Sequence, residues 1–85
     1  MRHVTEQDLD RLDGLLAELR RFDVLRERKR GIFMLRSRAF LHFHADGDDL
    51  YADVRLDGVD FTRRRVTTPD EQAGLVAVIA VAIGP

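Results

Sequence analysis

The feature that most constrains this chain is an uninterrupted apolar run in its last twelve or so residues. Residues 73–83 read Ala-Gly-Leu-Val-Ala-Val-Ile-Ala-Val-Ala-Ile, without one polar side chain. Thr68-Pro69-Asp70-Glu71 comes just before and supplies a capping threonine, an N1 proline and an acidic first turn. These signals favour a helix over the strand that the valines would suit. A helix that is apolar on every side must be buried on every side. A chain of 85 residues can hardly cover it completely, so the run indicates that a partner covers part of this helix.

A second helix is predicted near the start of the chain. Thr5 is a good N-cap, Asp8 stands at the third helical position, and we expect the helix to end near Arg21. The apolar stripe has helical spacing and consists of Leu9, Leu12, Leu16 and Leu19.

Short strands are predicted between the helices, over residues 32–36, 39–45, 49–56 and 59–66. Asp46-Gly47 and Asp57-Gly58 are strong hairpin signals, and Ser37-Arg38 is a weaker turn. We therefore expect one α+β domain over residues 1–85. Its order is helix, four-stranded antiparallel meander, helix, in two layers with both helices on one face of the sheet.

Alternation along the strands assigns their side chains to two faces. The assumed strand pairs are Phe43 with Ala52, Met34 with Leu41, and Val54 with Phe61. The core face then holds Ile32, Met34, Leu41, Phe43, Ala52, Val54, Leu56, Val59 and Phe61. An apolar cluster on the outer face would mark an interaction site. The predicted interface or ligand face consists of Phe33, Leu35, Phe40, His42, Tyr51, Asp53 and Arg55.

The leading hypothesis is a cytoplasmic homodimeric module that binds another protein or a small ligand without catalysis. The chain has no cysteine, no G-x-S-x-G and no glycine-rich phosphate loop, so an enzyme is the least supported class and no cofactor is expected. No apolar segment follows the first charged residues, and the run after Ala73 is shorter than the ~20 residues of a membrane span. A membrane partner is therefore not expected.

The first alternative is an arginine-dependent nucleic-acid-binding protein. Of the 14 basic residues, all but Lys29 are arginines. The candidate contacts are Arg28, Lys29, Arg30, Arg63, Arg64 and Arg65. The assumed registers put Arg64 beside Tyr51 on the outer face and turn Arg63 and Arg65 to the helix side. A pI near 6.3 argues against this class, because nucleic-acid-binding domains are usually basic.

The second alternative is a metal or general-base site at His42, His44 and Asp53. A His-x-His on a strand places both imidazoles on one face, about 6–7 Å apart, and Asp53 is expected opposite His42. Two imidazoles and a carboxylate suit zinc or iron. A simple cross-strand hydrogen bond between His42 and Asp53 would place the same residues together.

The stretch Gly31-Ile-Phe-Met-Leu-Arg-Ser-Arg-Ala-Phe-Leu-His-Phe-His44, followed by Asp49-Leu-Tyr-Ala-Asp-Val-Arg55, resembles a group of small bacterial proteins of unknown function. The same hairpin is similar to strands of the TfoX and MmcQ/YjbR-like proteins, which are linked to competence and to DNA binding. The resemblance implies a small α/β domain and carries no functional residue to this chain.

Overall fold

The computed structural model describes Met1–Gly84 and shows an α+β fold, as predicted. Its helices are α1 (Glu6–Asp10), α2 (Asp13–Leu19) and α3 (Pro69–Ile83). Its strands are β1 (Arg2–His3), β2 (Leu25–Lys29), β3 (Ile32–Leu35), β4 (Arg38–Asp46), β5 (Asp49–Val54) and β6 (Thr62–Arg65). The described residues therefore hold six strands and three helices, where four and two were predicted.

The strands form one sheet in the order β2-β3-β4-β5-β6, and each neighbouring pair is antiparallel. β5 pairs with β4 along one edge, from Leu41 to Asp46. The other edge of β4 is shared, because β3 pairs with its first half and β1 pairs with His44 and Ala45. Opposite His42 and Phe43 this shared edge has a gap between β3 and β1.

The two hairpin signals give different turns. Asp46 pairs with Asp49 around a two-residue loop in which Gly47 has a φ of 61°, the left-handed conformation that such loops need. The chain between β5 and β6 is longer. There the Asp57 carboxylate accepts hydrogen bonds from the backbone N–H groups of Val59 and Asp60, at 2.8 and 2.9 Å. These bonds lower the pKa of Asp57 and delay the start of β6 until Thr62.

One apolar core contains buried side chains from all three helices and from the sheet. It contains Leu9, Leu12, Leu15, Leu16, Leu19, Phe33, Phe40, Leu41, Phe43, Ala45, Leu50, Ala52, Val54, Val66, Leu75 and Ile79. The predicted pairing of Phe43 with Ala52 is present. Val59 and Phe61, which were predicted to be in the core, are 68% and 38% exposed.

A β-bulge in β4 overturns the predicted faces of β3. Phe33 pairs with Leu41, but Met34 pairs with Ala39, so Phe40 is an extra residue on β4. Met34 therefore does not pair with Leu41 as assumed, and Phe33 shares the core face with Leu41. Phe33 and Phe40 are only 1% and 2% exposed. Their predicted place on the outer face is wrong.

The pairing of β5 with β6 is shifted by one residue from the prediction. Val54 pairs with Thr62 and not with Phe61. The shift turns Arg63 to the outer face, where it pairs with Asp53. Arg64 instead lies against α3, with its Nη2 3.7 Å from the position of a β-carbon on Gly74. The predicted orientations of Arg63, Arg64 and Arg65 were therefore wrong.

The predicted first helix is divided at Arg11 and Leu12. The N–H of Arg11 donates to the carbonyl of Asp8 and that of Leu12 to the carbonyl of Leu9, so the turn is tighter than α-helical. Buried leucines from both segments still enter the core. Arg30, in the β2–β3 turn, forms ion pairs with Glu6, Asp10 and Asp13 at 2.7–2.9 Å and joins that turn to both segments.

Asp8 is the main polar anchor of α1. Its carboxylate accepts from the N–H of Thr5 at 2.8 Å and from Arg2 at 2.6 Å, and the Thr5 hydroxyl completes the capping box by accepting from the N–H of Asp8. The hydrogen bond from Arg2, with that from Thr5, lowers the pKa of Asp8 to about 2. The carboxyl group is therefore ionised in the folded chain at neutral pH.

Replacing Asp8 with alanine is expected to lower the free energy of unfolding at pH 7 by about 1–2 kcal/mol, since it leaves two donors without their acceptor. Because the folded pKa lies below the unfolded value of ~3.9, this stabilisation is present above about pH 4 and is lost as the pH falls toward 2. Urea denaturation across that range measures it. Gln7→Ala, on the exposed side of α1, is the control, and equal unfolding free energies for the two variants at pH 7 would contradict the prediction.

Candidate functional site

The outer face of the sheet carries a compact polar cluster, which we call the outer cluster: His42, His44, Asp53 and Arg63. His42 and His44 lie two residues apart on β4 and so point the same way. Register places Asp53 of β5 opposite His42, and Arg63 of β6 opposite Asp53. Three neighbouring strands therefore bring the four side chains together, including the three that the sequence nominated.

Asp53 is the centre of the outer cluster. Nε2 of His42 lies 3.3 Å and Nε2 of His44 lies 3.2 Å from its Oδ2 atom. Arg63 holds the same carboxylate from the other side, with Nε 2.7 Å from Oδ1 and Nη2 2.9 Å from Oδ2. Asp53 is nearly buried, while Arg63 remains about half exposed. The ligand atoms of the two histidines and Asp53 all lie within 4.8 Å of one another.

Three groups of the outer cluster have shifted pKa values, and the hydrogen bond to Asp53 raises that of Arg63. Hydrogen bonding from Arg63 lowers the pKa of Asp53, against the opposing effect of burial. Burial lowers the pKa of His42, and the nearby Asp53 carboxylate offsets this in part. At neutral pH the cluster thus contains an ionised carboxylate beside a neutral His42 imidazole that has a lone pair to offer.

Aromatic and basic side chains enclose the outer cluster. The ring of Phe61 meets His42 edge-on, with centroids 5.2 Å apart, and Arg55 lies 4.4 Å above the same phenyl ring. On the opposite side the ring of His3 lies 5.4 Å from that of His44, its partner in the β1–β4 register. His3 therefore shares the outer face with the cluster.

A groove of about 520 Å³ opens at the gap between β1 and β3. His42 lies on one wall, and His3 and Ile32 lie at its mouth. Lys29, Arg30 and Glu6 also line it, and Arg30 and Glu6 form an ion pair. The groove gives a small molecule or water access to one edge of the outer cluster.

The outer face of the sheet, predicted to be the interface, does not form a continuous apolar patch. Phe33 and Phe40 are in the core, and Leu35 packs at the edge of that core. Tyr51, His42 and Arg55 are partly exposed on or beside the outer face, and Asp53 is held by Arg63. The outer face is therefore polar at its centre.

The predicted nucleic-acid contacts lie at opposite edges of the sheet. Arg28 and Lys29 are on β2 and the other group is on β6, four strand spacings or roughly 19 Å away. Arg65 is paired with Asp49 and Glu71, both at 2.7 Å, and Arg30 with three carboxylates of the N-terminal helices. Intramolecular acids thus already neutralise much of this basic charge, which weakens the nucleic-acid hypothesis.

The apolar helix α3 begins at Pro69, as the sequence predicts, and ends at Ile83. Leu75 and Ile79 are fully buried, but the opposite side of the helix faces outward. Its outward side chains are Ala73, Ala77, Val81 and Ala82, and Val81 is 88% exposed. Within Met1–Gly84 no helix is both long and apolar enough to cross a membrane.

Two residues of the outer cluster and its surroundings, Arg63 and His3, were not placed there by the sequence, which named Arg63 only as a nucleic-acid contact. Arg63 was expected on the other face because the β5–β6 register was taken one residue out of place. His3 was not nominated because two residues before a helix give no strand signal, yet β1 pairs His3 with His44. The His-x-His spacing was the informative signal, since it needs no register.

Comparison with known proteins supplies no relative from which a function could be taken. No protein-family model, no curated protein and no solved structure matches the chain. Proposals about its function therefore rest on the chemistry of its surface.

Proposed function

We propose that this chain is a non-catalytic interaction module that acts as a homodimer through the outward face of α3. The observation that carries the proposal is the apolar character of that face. From Ala73 to Ile83 the helix has no polar side chain, although a chain of this size leaves one side of it uncovered. Burying Val81 and its neighbours against a partner removes apolar surface from water, which is the main driving force of association.

The apolar surface extends beyond α3 at the C-terminal end of the helix. Val24, in the turn before β2, is more than half exposed. Together with Leu35, Ala82 and Ile83 it lines a shallow groove of about 390 Å³. The helix face and this groove form one surface, which we call the α3 surface.

Charge at the two ends of the α3 surface favours a second copy as the occupant. Asp70 lies at the N-terminal end of α3, and Arg36 lines the groove at the other end. The helix is 15 residues, or about 22 Å, long. Two copies packed antiparallel about a two-fold axis would bring Asp70 of one protomer to Arg36 of its partner, twice. Small residues at positions 73 and 77 allow the two helices a close approach.

Glutamate at Ala77 or at Val81 is expected to weaken self-association by roughly a hundred-fold or more, because it buries a charge in an apolar contact. At Ala77, near the middle of α3, the two-fold axis also brings the new charge near its own copy. Sedimentation equilibrium measures this. The parent chain should reach twice its mass of 9.8 kDa, and the variants should stay at 9.8 kDa while remaining folded by circular dichroism. Val59→Glu, at a site 68% exposed in the β5–β6 loop, is the matched control and should dimerise like the parent.

A charge exchange tests the antiparallel arrangement. Asp70→Lys alone should weaken the dimer, and Arg36→Glu in the same chain should restore it. A parent chain that is monomeric at every concentration, or a Val81→Glu variant that dimerises like the parent, would refute the proposal. Failure of the double exchange to restore association would refute the antiparallel packing.

A further inference from the structure

Independently of dimer formation, we propose that His42, His44 and Asp53 form a binding site for one divalent first-row transition-metal ion, with zinc as the ion to test. The three side chains offer two imidazole nitrogens and one carboxylate oxygen from the outer face of β4 and β5. Imidazole with carboxylate is a donor set that suits zinc, iron, nickel and copper. Magnesium and calcium prefer sites made of oxygen alone, so the site should select against them.

Two of the three separations between the donor atoms fit a tetrahedral ion. Ligands about 2.0–2.1 Å from zinc at tetrahedral angles are about 3.3 Å from one another. Oδ2 of Asp53 lies 3.3 Å from Nε2 of His42 and 3.2 Å from Nε2 of His44. The three donor atoms all lie within 4.8 Å of one another, so the two imidazole rings are expected to turn toward each other when an ion binds.

Hydrogen bonding alone satisfies this cluster poorly. Each carboxylate oxygen offers about two lone-pair positions. Oδ2 of Asp53 already accepts from Nη2 of Arg63 at 2.9 Å, yet both imidazoles also converge on it. Three nitrogen atoms thus lie within 3.3 Å of one oxygen, and of these only Nη2 of Arg63 has the geometry of a hydrogen bond to it. A metal ion accounts for this arrangement, because it takes a lone pair from each imidazole and one from the carboxylate.

Arg63 then acts as an outer partner of the ligand. Its Nε bond of 2.7 Å goes to Oδ1, the oxygen that faces away from the histidines, and fixes the carboxylate plane. Metal-bound carboxylates are commonly held this way. The positive charge of Arg63 opposes a cation, but its side chain is 47% exposed, so solvent screens much of that repulsion.

His3, the remaining histidine of the chain, is the side chain that we propose for a fourth position. It lies on the same face as His44, with ring centroids 5.4 Å apart, and it also lines the groove that reaches His42. A short strand pairing holds its backbone, while the imidazole is exposed and can turn. The structure therefore assigns His3 as the fourth ligand, at the side of the site that faces the groove.

Zinc titration of the tag-free, chelator-treated chain tests the site. Isothermal titration should give one zinc ion per chain with micromolar or tighter affinity, and a hundred-fold excess over the dissociation constant should raise the Tm by roughly 10 °C. His42→Gln and His44→Gln should each weaken binding at least ten-fold. Cobalt(II) should give a visible d–d spectrum with the parent that both variants lose. Asp48→Asn, in the exposed β4–β5 turn, is the control for non-specific acidic sites and should bind like the parent.

The proposal would be overturned if the parent chain did not bind zinc. It would also be overturned if a His42→Gln/His44→Gln double variant bound zinc with the affinity of the parent. A magnesium effect equal to that of zinc would also overturn it. His3→Ala is expected to weaken zinc binding several-fold, and unchanged affinity in that variant would overturn the assignment of His3 as the fourth ligand.

Discussion

Replacing Phe40 with alanine is expected to lower the free energy of unfolding by about 3–5 kcal/mol. The ring is 2% exposed and lies in the core that joins the sheet to the helices. Its removal takes away buried apolar surface and leaves a cavity that the rigid strands fill poorly. Domains of this size are stable by only ~5–15 kcal/mol, so the loss is a large part of the total. Urea denaturation with a fixed m-value measures it.

Phe61→Ala is the matched control, because the same residue type is 38% exposed on the outer face. It should cost about 1 kcal/mol or less, since it loses contacts with His42 and Arg55 but leaves no internal cavity. Similar losses for the two variants would mean that Phe40 is not in the core. Phe40→Glu is expected to unfold the chain, because it places a charge in the core.

Local chemistry made the helix starts and one hairpin predictable. Thr5 with Asp8 and Thr68 with Glu71 both form the capping boxes that their spacing indicates. Asp46-Gly47 marks the tight β4–β5 turn, and the pairing of Phe43 with Ala52 follows from it. Each of these features depends on residues close together in the chain, where residue type alone decides the conformation.

Registers set by bulges and long loops could not be predicted. Nothing in the sequence of β4 distinguishes Phe40 as an extra residue, yet the bulge there moves Phe33 from the outer face to the core. The loop held by Asp57 shifts β6 by one residue, which brings Arg63 to Asp53. β2 was missed because an edge strand reading Leu-Arg-Glu-Arg-Lys buries too little to show apolar alternation. The candidate site was therefore predictable in its histidines and not in Arg63.

Replacing Gly31 with alanine is expected to lower the free energy of unfolding by about 2–4 kcal/mol, through two separate effects. Gly31 has a φ of 82°, a conformation that costs an L-residue about 1–2 kcal/mol. A β-carbon would also lie 2.7 Å from Cδ2 of Leu9 and 3.4 Å from Phe43. Leu9 must move to relieve that contact, and overpacking of a core costs about 1–3 kcal/mol.

Gly47→Ala separates the two effects. Gly47 has a φ of 61°, but a β-carbon there meets nothing within 4 Å. The free energy of unfolding of Gly47→Ala should therefore fall only by the backbone cost of about 1–2 kcal/mol. Alanine reduces the entropy of the unfolded chain equally in the Gly31→Ala and Gly47→Ala variants, so this effect cancels between them. The difference between the two variants, measured by urea denaturation, is thus the free energy of crowding Leu9. Leu9→Ala in the Gly31→Ala background should remove most of that difference, because the side chain that blocks the β-carbon is gone. Equal decreases in the free energy of unfolding for Gly31→Ala and Gly47→Ala would contradict this prediction. They would show that Leu9 moves aside at no cost and that the β2–β3 turn is not packed against α1.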